Sequence, residues 1–386
     1  MILTVCIFWL SLSLIAYSYL IYPVVLYLLT RKLEPPTPAT ATEDAKLPSL
    51  SVIIAAYNEE KHIEQRVENL LQQDYGGPLE ILVGSDGSSD RTNALLARFA
   101  DHPQCAIHLF DHNRGKASVL NDLAAAAKGD ILVFSDANTR FSPNNIARLI
   151  AYFTTDRIGG VCGELQIYDP DAAGSENQDS AYWRYERFLK QRTSYLRCLP
   201  GANGANYAIR KALWQPIPAD TIVDDFLIGC RVVLQGKELV YAPDAVAREE
   251  QAPSTESEVK RRIRIGNGNY QALGWLLGDV LRSSRAFRFV FCSHKVIRWF
   301  VPHLLLIAFI TNAVLAPGSV VYSLLFIAQL LGYGLCAMVH LSSERQRWPS
   351  PALMLYYLVA MNVGLGKGFL RYLAGGSRAA WERTAR

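Results

Sequence analysis

The stretch Ser51-Val52-Ile53-Ile54-Ala55-Ala56-Tyr57-Asn58-Glu59-Glu60 decides the fold. An uncharged, mostly apolar run breaks into a polar, acidic corner, the pattern of a short strand buried on both faces. The arrangement recurs downstream. Glu80 to Ser85 is a second run that empties into Asp86-Gly87-Ser88-Ser89-Asp90. Asp130 to Ser135 is another, ending in Asp136-Ala137-Asn138-Thr139, and Ile107 to Phe110 is a shorter one between them. Helix-like segments fill the gaps at Glu59 to Gln73, Arg91 to Ala100 and Lys116 to Lys128. Strands alternating with helices predict an α/β domain, a Rossmann-like, mostly parallel sheet with right-handed crossovers. Such sheets bind ligands beyond the carboxyl ends of their strands. The acids fall at that rim, and their convergence says more than any one motif.

Each motif also has a plainer reading. Asp86-Gly87-Ser88-Ser89-Asp90 suits a turn with a helix cap, with Asp90 as the cap. Asp136-Ala137-Asn138 is a DxD-like triplet with Asn in place of the second acid. Mg2+ and Mn2+ prefer oxygen ligands and often bind one or two carboxylates plus substrate phosphates, so Asp136 and Asn138 are the candidate metal ligands. Asp224-Asp225 fits a helix N-terminus, where the dipole favours acids. His62, His102, His108 and His112 show no metal-ligand spacing.

Outward from this domain the chain becomes apolar. Ile2 to Thr30 carries no charge and is long enough to span a bilayer. Arg31 and Lys32 follow, so the positive-inside rule puts the next domain in the cytoplasm. The reading is a membrane anchor over 1–32, a linker rich in Pro, Thr and Ala over 33–47, and a catalytic domain over 48–285. A C-terminal membrane region over 286–374 has spans at about 299–316 and 319–341, with a spanning or re-entrant segment at 351–370, and a basic tail covers 375–386. The expected location is the inner, cytoplasmic membrane, multi-pass, with membrane lipid as a partner.

Half of the 386 residues are hydrophobic and 19% are charged, which agrees with one domain plus membrane segments. A net charge of +4 is too small to argue for nucleic acid. The seven cysteines show no CxxC spacing, so neither a zinc site nor a disulfide framework is suggested.

The strings SVIIAAYNEE, DGSSD, NRGKASVLN and SDANT, followed by GANGANYAIR at Gly201 to Arg210, VDDF at Val223 to Phe226 and RRIRIGNG at Arg261 to Gly268, resemble family 2 glycosyltransferases of the GT-A fold, including membrane-bound polysaccharide synthases. The resemblance covers about Pro48 to Tyr270. It implies a hexosyltransferase-type activity on a nucleotide-sugar donor, a UDP-sugar first of all, with a lipid-linked or glycan acceptor. It places Ala56, Tyr57, Glu59, Asp86, Lys116 and Asp136 around the nucleotide-sugar, with Arg261 and Arg264 beside the diphosphate. It makes Asp225 the general base of an inverting transfer. The acceptor site is expected around Gly201, Asn203, Gly204 and Asp224, where small residues let a ligand approach the backbone. Other polysaccharide-assembly proteins are further expected partners. Two departures stand out: Arg261 replaces the usual Gln and Ile265 the usual Trp of the QxxRW motif, which weakens the case for processive extension. A sugar nucleotidyltransferase and a non-catalytic subunit of a polysaccharide export system are the competing readings.

Overall fold

The computed structural model describes residues 1–39, 47–168, 181–250, 255–342 and 347–376. Linker residues 40–46 and the basic tail from 377 onward lie outside the described residues. Two compact units form. One comprises Leu26–Pro253 and Gly274–Val290; the other comprises Met1–Val25, Ser254–Leu273 and Phe291–Gly376.

The first unit is built on an eight-stranded sheet. Its strands are β1 (Leu50–Ala56), β2 (Leu79–Asp86), β3 (Cys105–Phe110), β4 (Ile131–Phe134), β5 (Arg140–Phe141), β6 (Ile158–Tyr168), β7 (Tyr207–Arg210) and β8 (Glu238–Glu250), in the order β3-β2-β1-β4-β7-β6-β8-β5. The four expected strands are β1 to β4, and they pair in parallel. The sheet continues through antiparallel β7 into β6 and β8, which are parallel to each other.

Side-chain periodicity explains the layers. Leu50, Val52 and Ile54 of β1, Ile81 and Val83 of β2, and Ile131 and Val133 of β4 belong to one buried cluster. Ile63, Val67 and Leu70, spaced at helical intervals on the helix Ile63–Leu71, join the same cluster. Each such side chain fully buried contributes about 1.5–3 kcal/mol. The helix Lys116–Ala126 packs on β2 at Gly84, where an added Cβ would lie 2.4 Å from Val119.

The first helix begins at Ile63 rather than at Glu59, and the corner before it shows why. Asn58 has a φ of +55°, and its side-chain oxygen accepts the N–H groups of Ser89 at 2.8 Å and Asp90 at 3.4 Å. Glu59 N–H donates to Thr92 and Glu60 N–H to Asp90. The residues after β1 are thus committed to the loop after β2 and cannot start a helix. Asp90 accepts the Thr92 N–H at 2.9 Å from one residue before the N-cap position, which Arg91 occupies rather than the expected Asp90.

The second unit is helical. Among the described residues four helical stretches are long and apolar enough to cross a membrane: Ile2–Thr30, Arg285–Gly318, Val320–Leu341 and Ser350–Leu373. The second begins at Arg285, earlier than the sequence suggested, because the segment around Arg285 to Phe289 is already helical. The fourth is one unbroken helix, without the turn that a re-entrant hairpin needs. Within this unit, Gly368 brings the fourth stretch against the backbone of Ile263, Gly266 and Asn267, on the helix Thr255–Arg282. Small residues allow such close helix contact.

Candidate active site

Asp136 lies two residues beyond the end of β4, at the carboxyl rim of the sheet. Lys116 opens the helix Lys116–Ala126, and its Nζ stands 2.9 Å from Asp136 Oδ1 and 3.2 Å from Asp224 Oδ2. Asp224 and Asp225 form the first turn of the helix Asp224–Leu234. One ammonium therefore bridges acids that are 88 residues apart in the chain. Burial works against that charge, but Asp136 and Asp224 outweigh it and hold the lysine above its ordinary range.

Asp225 is fixed at both oxygens. Oδ2 accepts the Gly204 N–H at 2.7 Å, and Oδ1 accepts its neighbour's N–H, that of Phe226, at 2.8 Å. Burial and the adjacent Asp224 push its carboxyl up to about 6, against the pull of Lys116 and the Phe226 N–H. A carboxylate with a raised pKa, oriented by backbone donors, has the character of a general base.

The loop of small residues lies against this acid. Gly201 has a φ of +99°, which favours glycine, and a Cβ there would come within 2.6 Å of the Phe226 ring. At Gly204 a Cβ would stand 3.3 Å from Asp225 Oδ2. Asn203 N–H faces Cys162 Sγ at 3.3 Å. Asn206 in the same string has a structural task. Fully buried, it donates through Nδ2 to the carbonyls of Glu164 and Ala245, sealing a register shift between β6 and β8.

At the neighbouring corner Ala56 is buried at the end of β1, and Tyr57 and Glu59 follow it on the rim. Asp86, at the end of β2, is fully buried and accepts the N–H groups of Arg114 at 3.0 Å and Gly115 at 2.8 Å. It thereby anchors the loop that presents Lys116.

Asn138 donates through Nδ2 to Glu249 Oε1 at 3.1 Å. With its nitrogen turned to an acid, its carbonyl oxygen is the atom presented elsewhere. The described residues hold no group of three His, Cys, Asp or Glu with metal-ligand geometry. Asp136 and Asn138 nevertheless offer hard oxygen atoms, and Asp136, Asp224 and Asp225 outnumber the single Lys116. That donor set and charge balance suit a divalent cation. Glu249 was missed in the sequence because it lies 111 residues from its partner, on β8. Arg66 was also missed. It is buried behind the site, donating to Ser135 Oγ at 2.7 Å with its guanidinium over the Phe141 ring.

Arg261 and Arg264 belong to the helical unit, on Thr255–Arg282. Arg261 stands 3.8 Å from Glu258, and Arg264 is exposed.

Residues 51–215 match the family model for glycosyl transferase family 2. The match covers 165 of the 386 residues, and over this segment the chain is similar to that family. The sheet is that of the GT-A glycosyltransferases. An uncharacterized glycosyltransferase of Nostoc sp. is 25% identical over 232 residues, covering 56% of this chain and 71% of that protein. The poly-beta-1,6-N-acetyl-D-glucosamine synthase of Staphylococcus aureus is 24% identical over 248 residues, covering 63% of this chain. The match spans 59% of that synthase. A solved mannosyltransferase from Pyrobaculum calidifontis, in complex with GDP-Man and Mn2+, has a TM-score of 0.72 at 21% identity. That comparison covers 95% of this chain and 99% of that one, and the likeness is one of fold.

Proposed function

We propose that this family 2 glycosyltransferase moves a hexosyl group from a nucleotide-sugar, a UDP-sugar first of all, to a lipid-linked or glycan acceptor in cell-surface or exopolysaccharide synthesis. The observation that carries the reading is the ammonium of Lys116 between Asp136 and Asp224, with Asp225 beside them. It ties the end that would meet a diphosphate to the end that would meet an acceptor. The likeness to a poly-beta-1,6-N-acetyl-D-glucosamine synthase supports the polysaccharide setting.

In this mechanism Asp225 takes the proton from the acceptor hydroxyl. A new bond forms from that oxygen to the anomeric carbon while the bond to the diphosphate breaks, and the configuration inverts. Asp136 and Asn138 would hold Mg2+ or Mn2+, which supplies positive charge for the leaving diphosphate. Lys116 lies beside the same place. Losing one such electrostatic contact costs on the order of 3 kcal/mol of barrier. Ala56, Tyr57, Glu59 and Asp86 would frame the nucleotide; Gly201, Asn203, Gly204 and Asp224 would frame the acceptor. Arg261 and Arg264 are assigned to the diphosphate. Arg31 and Lys32 support a cytoplasmic catalytic domain on the inner membrane, where other polysaccharide-assembly proteins would meet it.

The test is a donor screen on the detergent-purified chain with Mg2+ or Mn2+, reading nucleoside diphosphate release from UDP-, GDP- and dTDP-sugars. Release of pyrophosphate instead would make it a nucleotidyltransferase. No turnover of any sugar nucleotide with lipid-linked and glycan acceptors would reject the reading.

A further inference from the structure

At the opposite rim of the sheet from the acidic cluster, where β6 and β8 begin, lies a cavity of about 460 Å³. Its position in the chain is informative. Leu33 lines it just after Thr30, the end of the first apolar stretch, and Ser283 and Ser284 line it just before Arg285, the start of the second. Two points where the chain leaves a membrane-length helix thus meet at one cavity, at the level of lipid headgroups if those stretches span.

The walls carry unbalanced charge. Arg157, Arg197 and Lys237 face it, and Glu238 is the one acid among the lining residues. Arg157 Nε stands 3.0 Å from Glu238 Oε1 and Arg197 Nη1 stands 3.4 Å from Oε2, so two guanidiniums share one carboxylate. Lys237 Nζ donates to the main-chain carbonyl of Asp156 at 2.9 Å, which leaves its charge uncompensated. Three cations against one anion give a surplus of two positive charges. The floor is apolar, with Leu33, Leu196 and Val233.

A ligand for this cavity needs an anionic group for the arginines and lysine, a hydrogen-bond acceptor for the Ser284 hydroxyl, and an apolar continuation; Ser283 already donates to the Val280 carbonyl. Guanidinium groups suit phosphate oxygens through paired N–H donors, and juxtamembrane cations attract anionic lipid. We propose that this cavity binds the phosphate of an anionic phospholipid headgroup. It is a site apart from the acidic cluster and does not depend on the sugar-transfer reading.

Arg197 offers a clean variant, because its φ of +56° is one that glycine adopts readily. Arg197→Gly removes the guanidinium without asking more of the backbone, and Lys237→Gln removes the second charge independently. The full chain, stripped of lipid in detergent, is titrated with phosphatidylglycerol, phosphatidylcholine or inorganic phosphate. Melting temperature and lipid retained in native mass spectrometry are read. Phosphatidylglycerol is expected to raise the melting temperature saturably and to be retained, with phosphatidylcholine and inorganic phosphate inert. Each variant should raise the half-saturating phosphatidylglycerol concentration about tenfold, the loss of one charge-assisted contact. An equal response to phosphatidylcholine overturns the proposal, as does an unchanged response in both variants. Inorganic phosphate acting as strongly as phosphatidylglycerol makes the site one for free phosphate and overturns the lipid assignment.

Discussion

Asn138 Nδ2 lies 3.1 Å from Glu249 Oε1, and the glutamate is almost completely buried. The position that the DxD pattern would give to a second acid thus already faces an acid from β8. Restoring the pattern with Asn138→Asp should therefore harm the protein. Two carboxylates at hydrogen-bond distance cannot both stay ionised without cost. We expect a stability loss of about 1–3 kcal/mol and weaker Mn2+ binding, both largely recovered in the double variant with Glu249→Gln. Thermal unfolding and a metal titration of the two single variants and the double check this. A stable, tight-binding Asn138→Asp single variant would refute the coupling.

Asp225→Asn keeps the size of the side chain but removes the proposed base. Turnover should fall by about 10² or more, the usual range for a lost general base, while nucleotide affinity persists. Binding measured by calorimetry beside turnover separates the two, and equal turnover in the variant would remove Asp225 from the mechanism.

The pH dependence follows from the same acid. Its pKa is pushed up to about 6 in the fold, and the proposed base must be ionised to act, so kcat/KM should fall with one proton as pH drops through about 6. Lys116 lowers that value, so Lys116→Met should move the acid limb to higher pH. For stability the sign is the reverse. A carboxyl raised from 3.8 favours the fold while protonated, and that contribution is lost as pH rises through about 6. Unfolding curves of Asp225→Asn between pH 4 and 8 should lack this component.

Gly201 and Gly204 should respond differently to alanine. At Gly201 both the positive φ and the Phe226 contact are violated, and a destabilisation of about 2 kcal/mol or more is expected in thermal unfolding. At Gly204 the added methyl presses on Asp225 Oδ2, so activity should fall further than stability. Equal losses of stability at the two positions would contradict this division.

What the sequence revealed depended on range. The runs of β1, β2 and β4 are buried on both faces, so their composition announces them, and each delivers its polar corner to one rim by chain order alone. Local pattern was enough to put Asp86 and Asp136 at the ends of their strands and the Asp224-Asp225 pair at a helix N-terminus. It was not enough for Asn206, which read as one more small loop residue until the register shift between β6 and β8 gave it something to close. Nor could it find Glu249, whose meaning rests on a partner from a distant strand. The continuation of the sheet through antiparallel β7 was equally hidden, because Tyr207–Arg210 closes the string GANGANYAIR, whose small residues read as a loop.

Both carboxylate oxygens of Asp86 hold main-chain N–H groups from the turn before Lys116. The aspartate is thus a hinge pin for that turn as much as the proposed contact for a nucleoside. A ribose hydroxyl that leaned on it would have to share those oxygens, and any slackening would be felt at the lysine one residue further along. Occupancy at one end of the cleft would then be communicated mechanically to the acids at the other.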